Sequence, residues 1–441
     1  MNHLSLKDRI VQIPSSFYSR ASFIICMLFI GTLPATMIYI ALFWDNMQGI
    51  LINTCGILSQ LLIFLYIIAG LLKADKSELK AFFKLRAWDI LLLVFLILCV
   101  ISAILAEDKD LAIMGTGYRS EGITMYFVYA SLYICGRLIT DQKQQRILLI
   151  SYGAAIAFLS IMTILQCIPA LSSSLGIIGH NLTDIRFIHS KFATIYPNTN
   201  HYAYVLNMAI VGLAGLSYFA KGWKKYALVG LFGFNLWALI INNTFGCYLA
   251  AIGGLGFLVI LFLIRDKKTI RHSILLIAIF AALSVTTSAL CDGVLFNNFF
   301  VLKNDLETMD DSAGSKRLGL WRQAFIYIEE KPLFGHGPEG LHYKYFEDGL
   351  DNDRPHNEYI QHAAFHGIPA LCAYLGALIT LLVYCLKKLP KLSNELIVIG
   401  GIIFAYCVSA FFGNTMYNTT IYYYIFLGIL STCHINTKGT A

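Results

Sequence analysis

Apolar residues fall in long runs along this chain, and polar residues fill the gaps between them. A helix needs about 20 apolar residues to cross a bilayer. Runs of that order lie at 21–43, 50–72, 87–106, 122–138, 147–165, 201–220, 225–241, 246–264, 272–290, 363–386, 395–414 and 419–434. The pattern predicts an all-α fold, a polytopic transmembrane bundle of about 12 helices. No small-residue cleavage site follows the first run, so it reads as a retained helix and not a signal peptide. Three units follow: 1–290 with nine spans, a polar segment 291–356, and 357–441 with three more spans.

The polar segment is too long for a plain connection and carries structure of its own. In 315–331, Leu318, Trp321, Phe325 and Ile328 recur at steps of three and four, which marks one face of a helix. Ser315 is its expected N-cap and Pro332 its stop. Such a helix lies on the membrane surface with its stripe against lipid or the bundle. PLFGHGPEG follows at 332–340, where Gly335, Gly337 and Gly340 permit tight turns or close approach to a ligand. DNDRPHNEYIQHAAFHGIPAL, 351–371, then leads into the tenth span.

Composition removes the competing classes. Of 441 residues, 57% are hydrophobic and 13% charged, with a mean hydropathy of +0.66. A soluble chain carries about 25% charged residues, so an ordinary water-soluble enzyme is excluded. An aromatic content of 14% excludes disorder. The 11 cysteines are odd in number and form no CxxC pair, which argues against a disulfide framework. Only Cys167 and Cys291 sit near loop ends where they could meet.

Charge gives sidedness. The N-terminus, 73–86, 139–146, 221–224, 265–271, 387–394 and the C-terminus, with Arg137 and Lys225 beside them, hold 22 of the 33 Lys and Arg. The loops 44–49, 242–245 and 415–418 hold none. Basic loops stay in the cytoplasm, so both termini are expected there, in a multi-pass protein of the cell (inner) membrane, with 291–356 outside. The net charge of +7 is then a surplus on the cytoplasmic face. It suits anionic headgroups of membrane lipids and does not imply nucleic acid.

Polar chemistry gathers on the opposite side. Eight of 11 histidines fall there: His180, His189, His201, His336, His342, His356, His362 and His366. Asn198, Asn200 and His201 open a span, where Asn serves equally as a helix cap or a sugar contact. Glu358, His362 and His366 share one helix face, which suits hydrogen bonding inside the bundle or, less simply, zinc. Tyr417, Tyr422, Tyr423 and Tyr424 read as an aromatic belt.

The run GSKRLGLWRQAFIYIEEKPLFGHGPEGLHYKY followed by RPHNEYIQHAAFHGIPAL resembles the O-antigen ligase and O-antigen polymerase family. GYRSEG at 117–122 and YPNTNHYAYVL at 196–206 are weaker matches in the same order. The resemblance implies a GT-C-like membrane bundle without metal or cofactor. It implies transfer of a glycan from a polyprenyl-diphosphate carrier to a hydroxyl of a glycan or lipid acceptor, with inversion at the sugar carbon. It assigns Arg317 to the diphosphate, where a guanidinium grips phosphate through two hydrogen bonds, and Arg119 as a second contact. It makes His356 the base that takes the acceptor proton. Asn357 then orients a sugar or caps the helix. Glu358 steadies the site or complements the helix dipole. Asn200, Gly335 and Gly337 complete the expected substrate contacts.

The plain alternatives are headgroup contacts for both arginines and a cap for His356. Two positions depart from the family pattern: Phe245 stands where many members have Arg, and Phe365 where many have an acid. Arg119 or Arg186 is left to supply the missing contact. The competing function is a polysaccharide or lipid-linked-glycan transporter or flippase. That function calls for ionisable groups near the bilayer midplane, whereas the helix cores are nearly free of charge, with Asp89 close to a helix end.

Overall fold

A computed structural model describes residues 5–43, 47–73, 75–77, 84–117, 119–166, 196, 198–290, 293–311 and 313–435. These residues form an all-α, polytopic helical bundle with no strand among them. Each apolar run becomes a helix: Ser15–Phe43, Met47–Leu72, Ala87–Leu105, Ile123–Leu138, Gln142–Gln166, Thr199–Ser217, Trp223–Asn242, Phe245–Arg265, Ile270–Leu290, Ile368–Lys388, Asn394–Ala410 and Thr420–Leu430. Among the described residues eight helices are long and apolar enough to cross a membrane, and Ile123–Leu138 and Asn394–Ala410 are shorter apolar ones. The protein is therefore a multi-pass membrane protein.

The bundle is built around Thr199–Ser217, which is buried from His201 to Ser217. Trp223–Asn242, Phe245–Arg265 and Asn394–Ala410 pack on it. Thr420–Leu430 pairs with Ile123–Leu138, and Ile368–Lys388 pairs with Ala87–Leu105. Two polar ends result. At one, Asp89 pairs with Arg137 beneath the surface and accepts the Tyr133 hydroxyl at 2.6 Å and the Arg86 N–H at 2.7 Å. Arg146 donates to Glu395 at 2.8 Å on the same end. The other end carries the segments around residues 119, 201, 356 and 414.

Several expectations need correction. The tenth run divides in two: Glu358–His366 is a helix of its own, Gly367 turns the chain at φ +89°, and the long helix starts at Ile368. The surface helix spans Ala313–Glu330, so Ser315 lies within it and not at its cap. Its buried face is Leu320, Ala324, Tyr327 and Ile328, whereas Phe325 is 54% exposed. The reason is its partner: these residues pack with Leu341, Tyr345 and Ala363–Phe365, on protein and not on lipid. Two further helices, Val294–Thr308 and His342–Glu347, precede and follow it.

The tyrosine belt is an interior cluster. Tyr417, Tyr422, Tyr423 and Tyr424 are all buried. Tyr422 donates to the Phe29 carbonyl at 3.2 Å, and the Tyr423 and Tyr374 hydroxyls meet at 3.0 Å. The Tyr422 and Tyr423 hydroxyls are satisfied by protein, which removes their need for a watery interface. Nine cysteines are free thiols, and Cys167 and Cys291 lie outside the described residues, as do His180, Arg186 and His189.

Candidate functional site

The polar end is organised by one buried arginine. Arg354 has no exposed surface. It donates from Nη1 to Glu121 at 2.9 Å and from Nε to Asp353 at 3.1 Å, and Glu339 stands 3.9 Å away. Arg119 grips the same Asp353 with two bonds, at 2.9 and 2.7 Å. Glu339 accepts the backbone N–H of Thr116 at 2.8 Å and of Glu121 at 2.7 Å. Glu121 also accepts hydroxyls from Tyr129 at 2.8 Å and Thr415 at 2.9 Å. Four segments, near 119, 339, 354 and 415, are thereby tied together.

Buried charges this close reset one another's proton affinities. Burial alone would raise the Asp353 carboxyl, but Arg354, His342 and Arg119 hold it well below the usual carboxylate range. Burial pushes Glu121 up to about 7 against the pull of Arg354, and Glu339 adds to the rise. Burial lowers the Arg354 guanidinium's affinity, and Asp353, Glu121 and Glu339 more than restore it, so it stays charged.

His356 follows at the edge of this cluster. Its backbone is left-handed, φ +53°, a conformation that persists only when the surroundings impose it. Its Nε2 meets Oδ1 of Asn352 at 2.9 Å, and its Nδ1 accepts from Nδ2 of Asn414 at 3.1 Å. Burial, then the charges of Arg317 and Arg119, lower its pKa to about 3. The ring is neutral at any ordinary pH, with both nitrogens engaged. It is thus a positioned imidazole whose lone pair is already occupied, which bears on its expected role as base.

Arg317 reaches in from the surface helix. Its Nη1 donates to the Gly314 carbonyl at 3.3 Å. Among the described residues no carboxylate pairs with it. Burial lowers its pKa, and its nearest electrostatic neighbours are Tyr204 and Cys247. A partly buried guanidinium without a counter-ion is a standing invitation to an anion. Cys247 stands two residues after Phe245, the position at which the resemblance predicts an arginine. Phe245 itself packs edge-on against Phe299 at 4.9 Å.

Other expected site residues are committed to structure. Asn357 caps Glu358–His366, with Oδ1 accepting from the N–H groups of Tyr359 at 3.0 Å and Ile360 at 3.1 Å. Glu358 is buried in the bundle and accepts hydroxyls from Tyr374 at 3.0 Å and Tyr406 at 2.9 Å. Asn200 donates its N–H to the cap Asn198 at 2.8 Å and accepts a long bond from Thr244 at 3.5 Å.

Gly335 and Gly337 have φ +64° and +96°, and a Cβ there would lie 2.4 Å from the Phe365 carbonyl and from Ala106 respectively. Both glycine N–H groups donate to backbone carbonyls, Gly335 to Lys331 at 3.0 Å and Gly337 to Phe365 at 2.9 Å. These glycines press the turn onto the end of Glu358–His366 and present no free donor to a ligand. Phe365, in the place of the family acid, has the Arg354 guanidinium 5.9 Å from its ring centre. His362 and His366 share a face with Glu358 as expected, and His366 bonds the Tyr126 hydroxyl at 2.8 Å. Among the described residues no three His, Cys, Asp or Glu are grouped to hold a metal.

Sequence reasoning missed Arg354, Asp353, Glu121, Glu339, Asn414 and Asn418. The signals were present: Asp353-Arg354 stands two residues before His356, and Glu121 stands two after Arg119. GNTMYNTT, 413–420, is a polar island between two apolar helices. No curated protein matches the chain. The family model described as O-antigen ligase matches residues 227–375. That stretch holds Arg317, the glycine turn and the His356-Asn357 pair, so over about a third of its length the chain is similar to the O-antigen ligase family.

Proposed function

We propose that this membrane protein transfers a glycan from a polyprenyl-diphosphate carrier to an acceptor hydroxyl, at the outer face of the cell membrane. The family supports a membrane glycosyltransferase of ligase or polymerase type. The observation that carries the finer reading is Arg317, a cation without a carboxylate partner among the described residues, in electrostatic range of a neutral, anchored His356.

Negative charge grows on the diphosphate as the sugar bond breaks, and a guanidinium fixed in place beforehand stabilises that charge without reorganising. Arg119 is held by Asp353, so in this reading it shapes the field around the site and Arg317 makes the contact. His356 lines the space in which the acceptor hydroxyl approaches. Both termini lie in the cytoplasm, since the lysine- and arginine-rich loops fall at the end opposite to this site.

Transport remains the contrasting reading, and the experiment separates the two. Purified protein in liposomes receives the lipid-linked glycan extracted from cells that make it. Transfer releases carrier diphosphate in step with a new glycan product. Movement of the lipid across the bilayer without that release contradicts the proposal. Product size then divides ligation, one glycan per acceptor, from polymerisation, a ladder.

A further inference from the structure

Next to His356 lies a set of side chains that this transfer leaves unused. Asn414, Thr415 and Asn418 sit in the turn between Asn394–Ala410 and Thr420–Leu430, each at most 2% exposed. Asn414 donates to Nδ1 of His356 at 3.1 Å, and Asn418 donates to Nδ1 of His201 at 3.2 Å. Two amides four residues apart hold two imidazoles. Gln361 joins them through Nε2, which donates to Thr415 at 2.7 Å.

The other half of each amide is unspent. Among the described residues, Oδ1 of Asn414, Oδ1 of Asn418, Oε1 of Gln361 and Nε2 of His201 are buried without a hydrogen-bond partner. Buried polar atoms are almost always paired, and each exception asks for a reason. Here four exceptions surround one turn. Three are carbonyl oxygens and one is an imidazole nitrogen, a set that complements a ligand rich in hydroxyl donors. His201 is also within electrostatic range of Arg119, Arg354 and His356, which puts it at the same site.

We propose that the turn 413–419, with Gln361 and His201, is the subsite for the acceptor glycan, and that Nε2 of His201 takes the proton of the attacking hydroxyl. This rests on the transfer reading above. His201 suits the task better than His356 because one of its nitrogens is open, whereas Asn352 and Asn414 engage both nitrogens of His356. For Nε2 to accept, Nδ1 must carry the ring proton. A half-turn of the Asn418 amide then presents its carbonyl to that proton and turns its N–H2 to the ligand, so the open acceptors left for hydroxyl donors are Oδ1 of Asn414, Oε1 of Gln361 and Nε2 of His201. In the step, the hydroxyl oxygen bonds to the sugar C1. The bond from C1 to the diphosphate oxygen breaks, its electron pair leaves on the diphosphate, and the hydroxyl proton passes to His201.

The test uses the full protein in liposomes. The lipid extract of the producing cells, split into diphosphate-linked and diphosphate-free fractions, supplies donor and acceptor. His201→Gln should lower the turnover by about 10²–10⁴-fold with donor affinity unchanged. His201→Gly should regain part of its rate on addition of free imidazole, a response that a purely structural role does not give. Asn418→Ala should raise the KM for acceptor about tenfold and leave that for donor in place. A His201→Gln enzyme at wild-type rate, no rescue by imidazole, or a KM effect confined to the donor overturns the subsite. A wild-type protein that releases no carrier diphosphate overturns the transfer reading, and the subsite with it.

Discussion

Arg354 donates to Glu121 at 2.9 Å, and the side chains of the two are 0% and 2% exposed. The pair joins the segment before Ile123–Leu138 to the segment before Glu358–His366. Removing one partner of a buried pair strands the other charge, which costs about 3–5 kcal/mol. Above about pH 7, where Glu121 is ionised, Arg354→Met strands Glu121 and loosens Asp353. Thermal unfolding in detergent should show a loss of that order, and a loss under about 1 kcal/mol would contradict the structural role.

The same pair makes stability depend on pH. Burial raises Glu121 from its ordinary 4.5 to about 7. The fold therefore prefers the protonated carboxyl. Its contribution is full below the unfolded pKa and fades as pH rises through about 7. Asp353, held far below its ordinary value, supplies the opposite dependence only under acid conditions. The melting temperature should fall between about pH 4.5 and 7, and Glu121→Gln should flatten that fall. A rise over the same window that Glu121→Gln leaves untouched would be the wrong sign.

The glycine turn is a packing device, and it is testable as one. Gly337→Ala combines a left-handed backbone with a Cβ placed 2.4 Å from Ala106. The expected loss is about 1–3 kcal/mol. Gly349→Ala is the control: φ is +79° there too, but nothing lies within 4 Å of the added methyl. It should cost about 1 kcal/mol, for the backbone alone. Equal losses at both positions would deny the tight contact.

His356 should not titrate in the working range. An unperturbed imidazole has a pKa of about 6.5, but burial and the charges of Arg317 and Arg119 bring this one to about 3. The rate should show no acidic limb near pH 6–7 arising from His356. His356→Gln, which still bonds Asn414, should stay within about tenfold of the wild type, short of what loss of a general base costs. A limb in that range that disappears in His356→Gln restores His356 as the base.

The membrane bundle was readable because apolar runs of bilayer length leave little choice of fold. The site was readable only in part. Arg317 and His356 stood out as motif residues. Arg354 did not, because two of the carboxylates around it, Glu121 and Glu339, come from distant segments and only Asp353 is its neighbour in sequence. Phe325 misled because steps of three and four fit two adjacent helix faces, and the choice between them belongs to Ala363–Phe365, over 30 residues away. The tyrosines near 422 misled because an aromatic-rich interior and an aromatic belt have the same composition. Asn414 and Asn418 went unweighed because a short polar turn between two spans reads as a simple connection.

The central claim is that Arg317 meets the carrier diphosphate while the sugar bond breaks. The most direct measurement is the rate of carrier-diphosphate release by Arg317→Ala and Arg317→Lys, beside the wild type, at equal protein in liposomes. Loss of one fixed donor aimed at developing charge costs about 10²–10³ in rate. Arg317→Ala should show that loss with the melting temperature unchanged, and Arg317→Lys should recover little, since an ammonium cannot reproduce the paired grip. Release by Arg317→Ala at the wild-type rate would contradict the claim and leave Arg317 as a contact to lipid headgroups.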